Sequence, residues 1–171
     1  MITFFTHLDK PLSQNIYKSL IDQLDFLALE CSCCHHRACL TKHAYYPRQL
    51  RNYNGIASLS ILRLKCSFCH RTHALVPCVI VPYSQVPFES HVDIASCQND
   101  DELLQAEDIN PSLSIQMIRY IHHQFMCFWK ERLLAAHISL SYDMIPDCFL
   151  HFSRQFMQVR ACPNSLFLPP T

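Results

Sequence analysis

Glycine is almost missing: Gly55 is the only one in 171 residues. A phosphate-binding loop of the nucleoside-triphosphatase kind needs several glycines, so that backbone N–H groups can close around a phosphate, and that loop is excluded. Long apolar runs are missing too. None approaches the ~18 residues of a membrane-spanning helix, and the chain does not open on the basic region, apolar stretch and small-residue cleavage site of a secretory leader. The expected location is the cytoplasm, with no membrane partner. A third absence is local: from Cys31 to Phe88 there is no Asp or Glu.

Within that acid-free stretch lie seven cations, Arg37, Lys42, Arg48, Arg51, Arg63, Lys65 and Arg71. The sign reverses from Glu89 to Asp108, where Glu89, Asp93, Asp100, Asp101, Glu102, Glu107 and Asp108 occur without a Lys or Arg. The overall net charge of zero therefore hides a basic block followed by an acidic one, a pattern that predicts an oriented surface. Half the residues are apolar, which is enough for a modest core.

Cysteine is abundant, at eleven. An odd number and no leader argue against a disulfide scaffold. Two of the spacings are specific: Cys31-Ser32-Cys33-Cys34-His35 and Cys66-Ser67-Phe68-Cys69-His70 are each a Cys-x-x-Cys ending in histidine. Two residues between cysteines let a tight turn aim both sulfurs at one ion, and two such turns complete the tetrahedron that Zn2+ prefers. Cys31, Cys34, Cys66 and Cys69 are the predicted ligands, with His35 or His36 as an alternative to one cysteine. Cys78, Cys97, Cys127, Cys148 and Cys162 lack a paired partner and read as small buried hydrophobes.

The predicted fold is α+β, in four parts. Residues 1–25 form an N-terminal helical segment, with Leu12, Ile16, Leu20 and Leu24 recurring every four residues after Pro11. Residues 26–86 form a small antiparallel zinc ribbon: a strand over 25–30, a hairpin of 40–50 and 58–65 turning at Asn54-Gly55, and a further strand over 71–81. A two-residue turn at Asn54-Gly55 would put Lys42, Tyr46, Arg48, Arg63 and Lys65 on one face, with Leu62, Leu64 and Tyr45 on the other. That basic face suits phosphates. Residues 87–137 read as helices over 88–97 and 100–107 and a long third helix from Pro111. Asn99 with Glu102 makes a capping-box start, and Asn110-Pro111 supplies a cap and a first-turn proline. A short helix followed by a longer one is the layout of a helix-turn-helix, from which Ser112, Ser114, Gln116 and Arg119 would reach DNA. Residues 138–171 form a tail expected to pack on the core.

Catalytic chemistry finds no footing. Asp100-Asp101-Glu102 are contiguous at a predicted helix start, where the dipole favours them, and point in different directions. A cleavage activity would have to rest on Asp143 or Asp147. The sequence therefore predicts a non-enzymatic, zinc-dependent DNA-binding protein. The alternative is a zinc-stabilised protein-interaction module without DNA binding, its aromatic helix forming a homodimer or docking another subunit.

The residues also carry a resemblance. Cys31-x-x-Cys34, His43-Ala44-Tyr45-Tyr46-x-Arg48, Ile61 to Cys69, Arg71 to Pro77 and Val81 to Gln85, continuing through Phe128 to Leu133 and Gln155 to Gln158 to Pro163-Asn164, resemble an uncharacterised bacterial family of small zinc-ribbon proteins. The order of ribbon and helix-turn-helix is similar to the front end of insertion-sequence transposases. This implies a mobile-element link, with a transposase or integrase as a possible partner and without the catalytic domain. His35 and His70 depart from the pattern, standing where glycine commonly follows the second cysteine. A left-handed backbone there would cost histidine about 1 kcal/mol.

Overall fold

The computed structural model describes residues 1–162 and 164–169. Pro163, Pro170 and Thr171, which belong to the expected tail, lie outside the described residues. The chain forms two compact units: Met1–Gln49, Ser58–Cys78 and 162–171 in the first, Leu50–Ala57 and Val79–Ala161 in the second.

The first unit is built on a sheet whose strand order is β2-β3-β4-β1-β5, with β1 Ile2–Phe4, β2 Leu40–Asn52, β3 Gly55–Cys66, β4 Thr72–Pro77 and β5 Leu166–Leu168. It is mixed rather than antiparallel. β3 and β4 run antiparallel, with Leu64 opposite His73, but β1 pairs parallel to both β4 and β5. The expectation of a purely antiparallel ribbon fails because the ribbon strands are continued by the chain's first and last strands. Ile2, Leu64 and Leu75 are fully buried and Phe4 nearly so, so the added strands extend an apolar core that the ribbon alone would not have.

α1 (Gln14–Asp22) starts at Ser13, whose hydroxyl accepts the Ile16 N–H at 3.3 Å, the usual way of satisfying a first-turn donor. It buries Tyr17 and Ile21, whereas Ile16, Leu20 and Leu24 are only half-buried. The face that packs is thus rotated from the four-residue repeat read in the sequence. Tyr17 decides the rotation: its hydroxyl donates to the Leu75 carbonyl at 2.8 Å and accepts the Leu62 N–H at 3.0 Å. The stretch 25–30 is turn rather than strand, apart from a single bridge between Glu30 and Arg37.

The hairpin turns at Tyr53-Asn54, one residue earlier than predicted. Neither has positive φ, while Gly55, at φ 105°, does. Asn52 Oδ1 accepts the Asn54 N–H at 3.1 Å. The glycine therefore follows the turn, as in loops that end on a left-handed residue, instead of forming half of a primed turn.

The second unit is helical. α2 (Phe88–Ser96), α3 (Asp100–Ile109) and α4 (Ile115–Gln124) are followed by a π turn over Phe125–Trp129, then α5 (Lys130–Ala135) and α6 (Ile145–Phe152). Asn99 caps α3 as expected, its Oδ1 accepting the Glu102 N–H at 3.0 Å, while Glu102 Oε2 reaches back one residue past the cap to accept the Gln98 N–H at 2.7 Å. The third helix starts later than predicted. Asn110 closes α3 and Pro111 lies in the connecting turn, while Ser114 caps α4 by accepting the Met117 N–H. Phe156, fully buried, is the centre of this core, with Phe88, Phe125 and Trp129 set edge-on to it at 5.3 to 6.2 Å.

Candidate metal centre

Two turns with the same backbone pattern present the sulfurs. In the first, the His35 N–H donates to the Cys31 carbonyl at 2.9 Å and the Cys31 N–H to the His36 carbonyl at 2.9 Å; in the second, His70 donates to Cys66 at 3.1 Å and Cys66 to Arg71 at 3.0 Å. Closing each turn this way requires a left-handed residue after the second cysteine. His35 (φ 61°) and His70 (φ 57°) supply it, so the histidines do occupy the glycine-like position at glycine's conformation.

The turns bring Cys31, Cys34, Cys66 and Cys69 together, with all four sulfurs within 4.8 Å of one another. Cys31 Sγ lies 3.6 Å from Cys69 Sγ, and Cys34 Sγ 3.6 Å from Cys66 Sγ. Metal–sulfur bonds of ~2.3 Å in a tetrahedron put sulfurs about 3.8 Å apart, so the spacing suits one ion. An iron–sulfur cubane spreads its thiolates around four irons and needs them further apart.

The electrostatics of the bare thiols favour a cation. Burial pushes the Cys66 thiol up, but the Cys69 and Phe68 N–H groups and contacts with Cys39 and Cys34 outweigh it and bring the group down to about 6. The Arg71 N–H lowers Cys69, yet burial and the neighbouring sulfurs together push it up to about 12. Sulfurs this close cannot all carry charge unaided. A divalent cation removes the conflict by binding all four as thiolates.

Around the cluster stand two further groups: Cys39, which sequence reasoning missed, and His73, one of five histidines near the cysteines in sequence that read as surface residues or as supports of the ligands. Cys39, buried, places its Sγ 3.5 Å from Cys66 Sγ and donates to the His36 carbonyl at 3.0 Å. Burial, chiefly, pushes its thiol up to about 11. His73, also buried, has Nε2 3.3 Å from Cys31 Sγ and Nδ1 3.1 Å from Ser32 Oγ. Burial, then the charges of the N-terminal amine and Arg71, keep its pKa low, so the ring is neutral. Because the cysteine needs a donor once it is a thiolate, Nε2 carries the proton and Nδ1 accepts from Ser32. The local signal for His73 was strand alternation, which sets it on the inner face beside Leu64.

His35 and His36 stand outside the cluster. His35 Nδ1 pairs with Glu30 at 2.6 Å; His36 stacks on Phe68 at 4.2 Å, its Nδ1 on the Cys34 carbonyl.

The residues expected to contact DNA fall in both units. On the hairpin, Arg63 lies 4.7 Å over the Tyr46 ring and Lys42 5.0 Å over Phe26. Arg63 and Lys42 are exposed, Lys65 and Arg48 half-buried, and Arg48 Nε is closed off from solvent. Leu62 and Leu64 are fully buried as expected, whereas Tyr45, expected with them, is 57% exposed. Among the described residues no carboxylate pairs with Lys42, Arg63, Lys65 or Arg71. In the second unit, Ser112 Oγ donates to Asn110 Oδ1 at 2.7 Å, Ser114 is the cap of α4, and Arg119 reaches Asp100 at 3.6 Å. Gln116 is exposed.

Asp143 and Asp147 are exposed. No described helix is long and apolar enough to cross a membrane.

Comparison with known proteins gives a single kind of match. No curated protein and no solved structure matches the chain. A family model described as a domain of unknown function, DUF6431, matches residues 31–119, from the first metal-ligating cysteine through the basic hairpin and the acidic helices to α4. With just over half its length inside that match, the chain belongs to the DUF6431 family.

Proposed function

We propose that this chain is a non-enzymatic, zinc-dependent DNA-binding protein, and that the hairpin of β2 and β3 is its phosphate-binding surface. The observation that carries the reading is the cationic hairpin itself: Arg63 lies over Tyr46, Lys42 over Phe26, and Lys65 is on the same pair of strands, in a segment with no carboxylate from Cys31 to Phe88. Proteins ordinarily pair surface cations or intersperse them with acids. An unpaired row beside an aromatic ring suits a phosphate backbone, to which Arg and Lys bind by charge and geometry.

Zn2+ bound by Cys31, Cys34, Cys66 and Cys69 supplies folding energy and no chemistry of its own, since a four-thiolate site leaves no open position for substrate. His73 supports the Cys31 sulfur by a hydrogen bond, and Cys39 packs against Cys66 with its own S–H on the His36 carbonyl. Base reading, if the helix-turn-helix is used as such, falls to Gln116, with Arg119 exchanging Asp100 for a phosphate. Ser114 is occupied as the cap of α4 and Ser112 by its hydrogen bond to Asn110. The resemblance to transposase front ends makes an accessory or regulatory role at mobile elements the corresponding biology.

The test is a gel-shift titration of zinc-loaded protein on duplex DNA across salt concentrations. Binding should fall steeply with salt, and Arg63→Glu with Lys65→Glu should abolish it at moderate salt, each lost phosphate contact flattening the log–log slope by about 0.9. Absence of binding to any duplex at low salt would sink the reading. Unchanged DNA binding by the double variant, together with loss of a protein partner, would favour the interaction module.

A further inference from the structure

A second acid-free cleft lies in the helical unit, away from the metal ligands in sequence and unused by the reading above. Its cavity is about 180 Å³, walled by Gln124, Phe128, Trp129, Arg132, Arg154 and Met157 among others. That is smaller than the roughly 300–1,000 Å³ of sites for drug-sized ligands. It has room for one ring and one small charged group.

Three features show that the cleft is built rather than incidental. The π turn, with the Lys130 N–H bonded to the Phe125 carbonyl, inserts an extra residue into the helix between α4 and α5. It thereby sets Phe128, Trp129 and Arg132 along one side, and such turns occur often at functional sites. Trp129, 3% exposed, is fixed edge-on by Phe152 at 5.7 Å and Phe156 at 5.3 Å, and the Arg132 guanidinium sits 5.9 Å from its ring centre. The opposite wall is a loop bent by left-handed Ser153 (φ 53°) and Met157 (φ 59°), neither a glycine. Strain of this kind persists where the surroundings enforce it. Here two buried glutamines do so: Gln158 Oε1 accepts the Gln155 N–H at 3.1 Å, Gln155 Oε1 the Phe156 N–H at 3.1 Å, and Gln158 Nε2 donates to the Arg160 carbonyl at 2.6 Å. The loop carries Arg154 to the cleft in one conformation.

Two guanidiniums then line a cavity with no carboxylate in its walls, and among the described residues neither has an acidic partner. Phe128, 53% exposed, leaves an aromatic ring open to solvent beside them. Paired arginines call for an oxyanion, and an exposed ring calls for a planar partner. We propose that this cleft binds a single nucleotide unit, with its base stacked on Phe128 and its phosphate held between Arg132 and Arg154. The unit could be a free mononucleotide or the unpaired phosphorylated end of a strand, which share this chemistry. The proposal goes beyond the hairpin reading and does not depend on it.

Trp129 is the chain's only tryptophan, so its emission reports the cleft directly. Full-length zinc-loaded protein should show a saturable change in emission with thymidine 5′-monophosphate, and binding at least tenfold weaker for thymidine or inorganic phosphate alone. Phe128→Ala and Arg154→Gln should each weaken the mononucleotide about tenfold with an unchanged melting temperature. Arg63→Glu with Lys65→Glu should leave it intact, which separates failure here from failure at the hairpin. A 5′-phosphorylated single-stranded oligothymidylate binding more tightly than the mononucleotide assigns the strand end, and the reverse assigns the free nucleotide; both support the site. No saturable change at millimolar ligand, equal binding of inorganic phosphate, or equal binding by both variants overturns it.

Discussion

The basic and acidic blocks treat charge in opposite ways. In the acidic one four of the seven carboxylates are engaged: Glu102 accepts the Gln98 N–H beside the Asn99 cap of α3, Glu107 accepts the Ile115 N–H at 2.8 Å, Asp100 meets Arg119, and Asp93 accepts from the Tyr53 and Tyr142 hydroxyls. In the basic one, Arg37 shares Glu30 with His35, and Lys42, Arg63, Lys65 and Arg71 have no carboxylate among the described residues. Charge segregation in a sequence thus has two origins. Part of the acidic run is explained by helix starts and caps, where negative charge satisfies orphan N–H groups, and Asp93 by two tyrosine hydroxyls. Within the basic run Arg51 is tied to Gln85 and the Ser112 carbonyl, but Lys42, Arg63, Lys65 and Arg71 meet no carboxylate among the described residues, and that is why a functional reading attaches to them.

The units also differ in what holds them. The first gathers four thiols around a point and has a short sheet; the second has an aromatic core centred on Phe156. Removing the metal should therefore produce the largest effect and fall on the first unit. Purified protein should carry one zinc per chain, and Cys34→Ser or Cys69→Ser should lose it, forfeiting on the order of 10 kcal/mol of binding energy that is also folding energy. Amide hydrogen exchange in β3 and β4 should accelerate sharply on chelation. Trp129 emission reads the second unit in the same sample, and an equal collapse of both signals would break the distinction.

A smaller effect belongs to the second unit alone. His91 is 3% exposed, donates Nδ1–H to the Pro87 carbonyl at 2.9 Å and receives the Ser84 hydroxyl at Nε2, 3.3 Å away. Burial holds its pKa down to about 4 from an ordinary 6.5, against the opposite pull of the Pro87 carbonyl. Below 6.5 the unfolded chain takes a proton that the folded one refuses, so this stability is present above 6.5 and is lost as pH falls toward 4. The loss should approach ~3 kcal/mol, at about 1.4 kcal/mol per pH unit. Denaturant titrations followed by Trp129 emission should show it, and His91→Gln should flatten it.

Much of the metal centre was legible because its signal is local: each Cys-x-x-Cys-His is five contiguous residues that fold into one turn. The histidines read as glycine substitutes do have left-handed backbones. Cys39 was not legible as a support, and His73 could not be told apart from the other histidines near the cysteines, since each meets its sulfur only after a hairpin or strand pairing has formed. The same holds for β1 and β5. Three residues such as Ile2–Phe4 show no period, and parallel pairing across more than 160 positions leaves no mark in either segment. Gly55 marked the hairpin correctly to within a residue, but whether glycine lies in the turn or just after it depends on the turn type. The Asn110-Pro111 signal misled because Asn110 ends α3 and its Oδ1 accepts the Ser112 hydroxyl, leaving Ser114, four residues on, to cap α4.

The smallest effect sharpens the description of the two turns. His70→Gly should remove the left-handed penalty and raise the melting free energy of the metal-loaded protein by up to about 1 kcal/mol, part of it offset by the freer unfolded chain. A destabilised variant would mean that the His70 ring contributes contacts outweighing its backbone cost.

The position of β1 has a temporal consequence. It lies between β4 and β5, and since β4 precedes β5 along the chain, during synthesis this strand meets one neighbour well before the other. The two cysteine turns and the hairpin can close once Cys69 has emerged, but Ile2–Phe4 keeps one row of backbone donors and acceptors uncovered until Leu166–Leu168 arrives. The cysteine cluster can therefore assemble before the sheet is complete, and in that interval the edge that β5 will cover is an open strand edge.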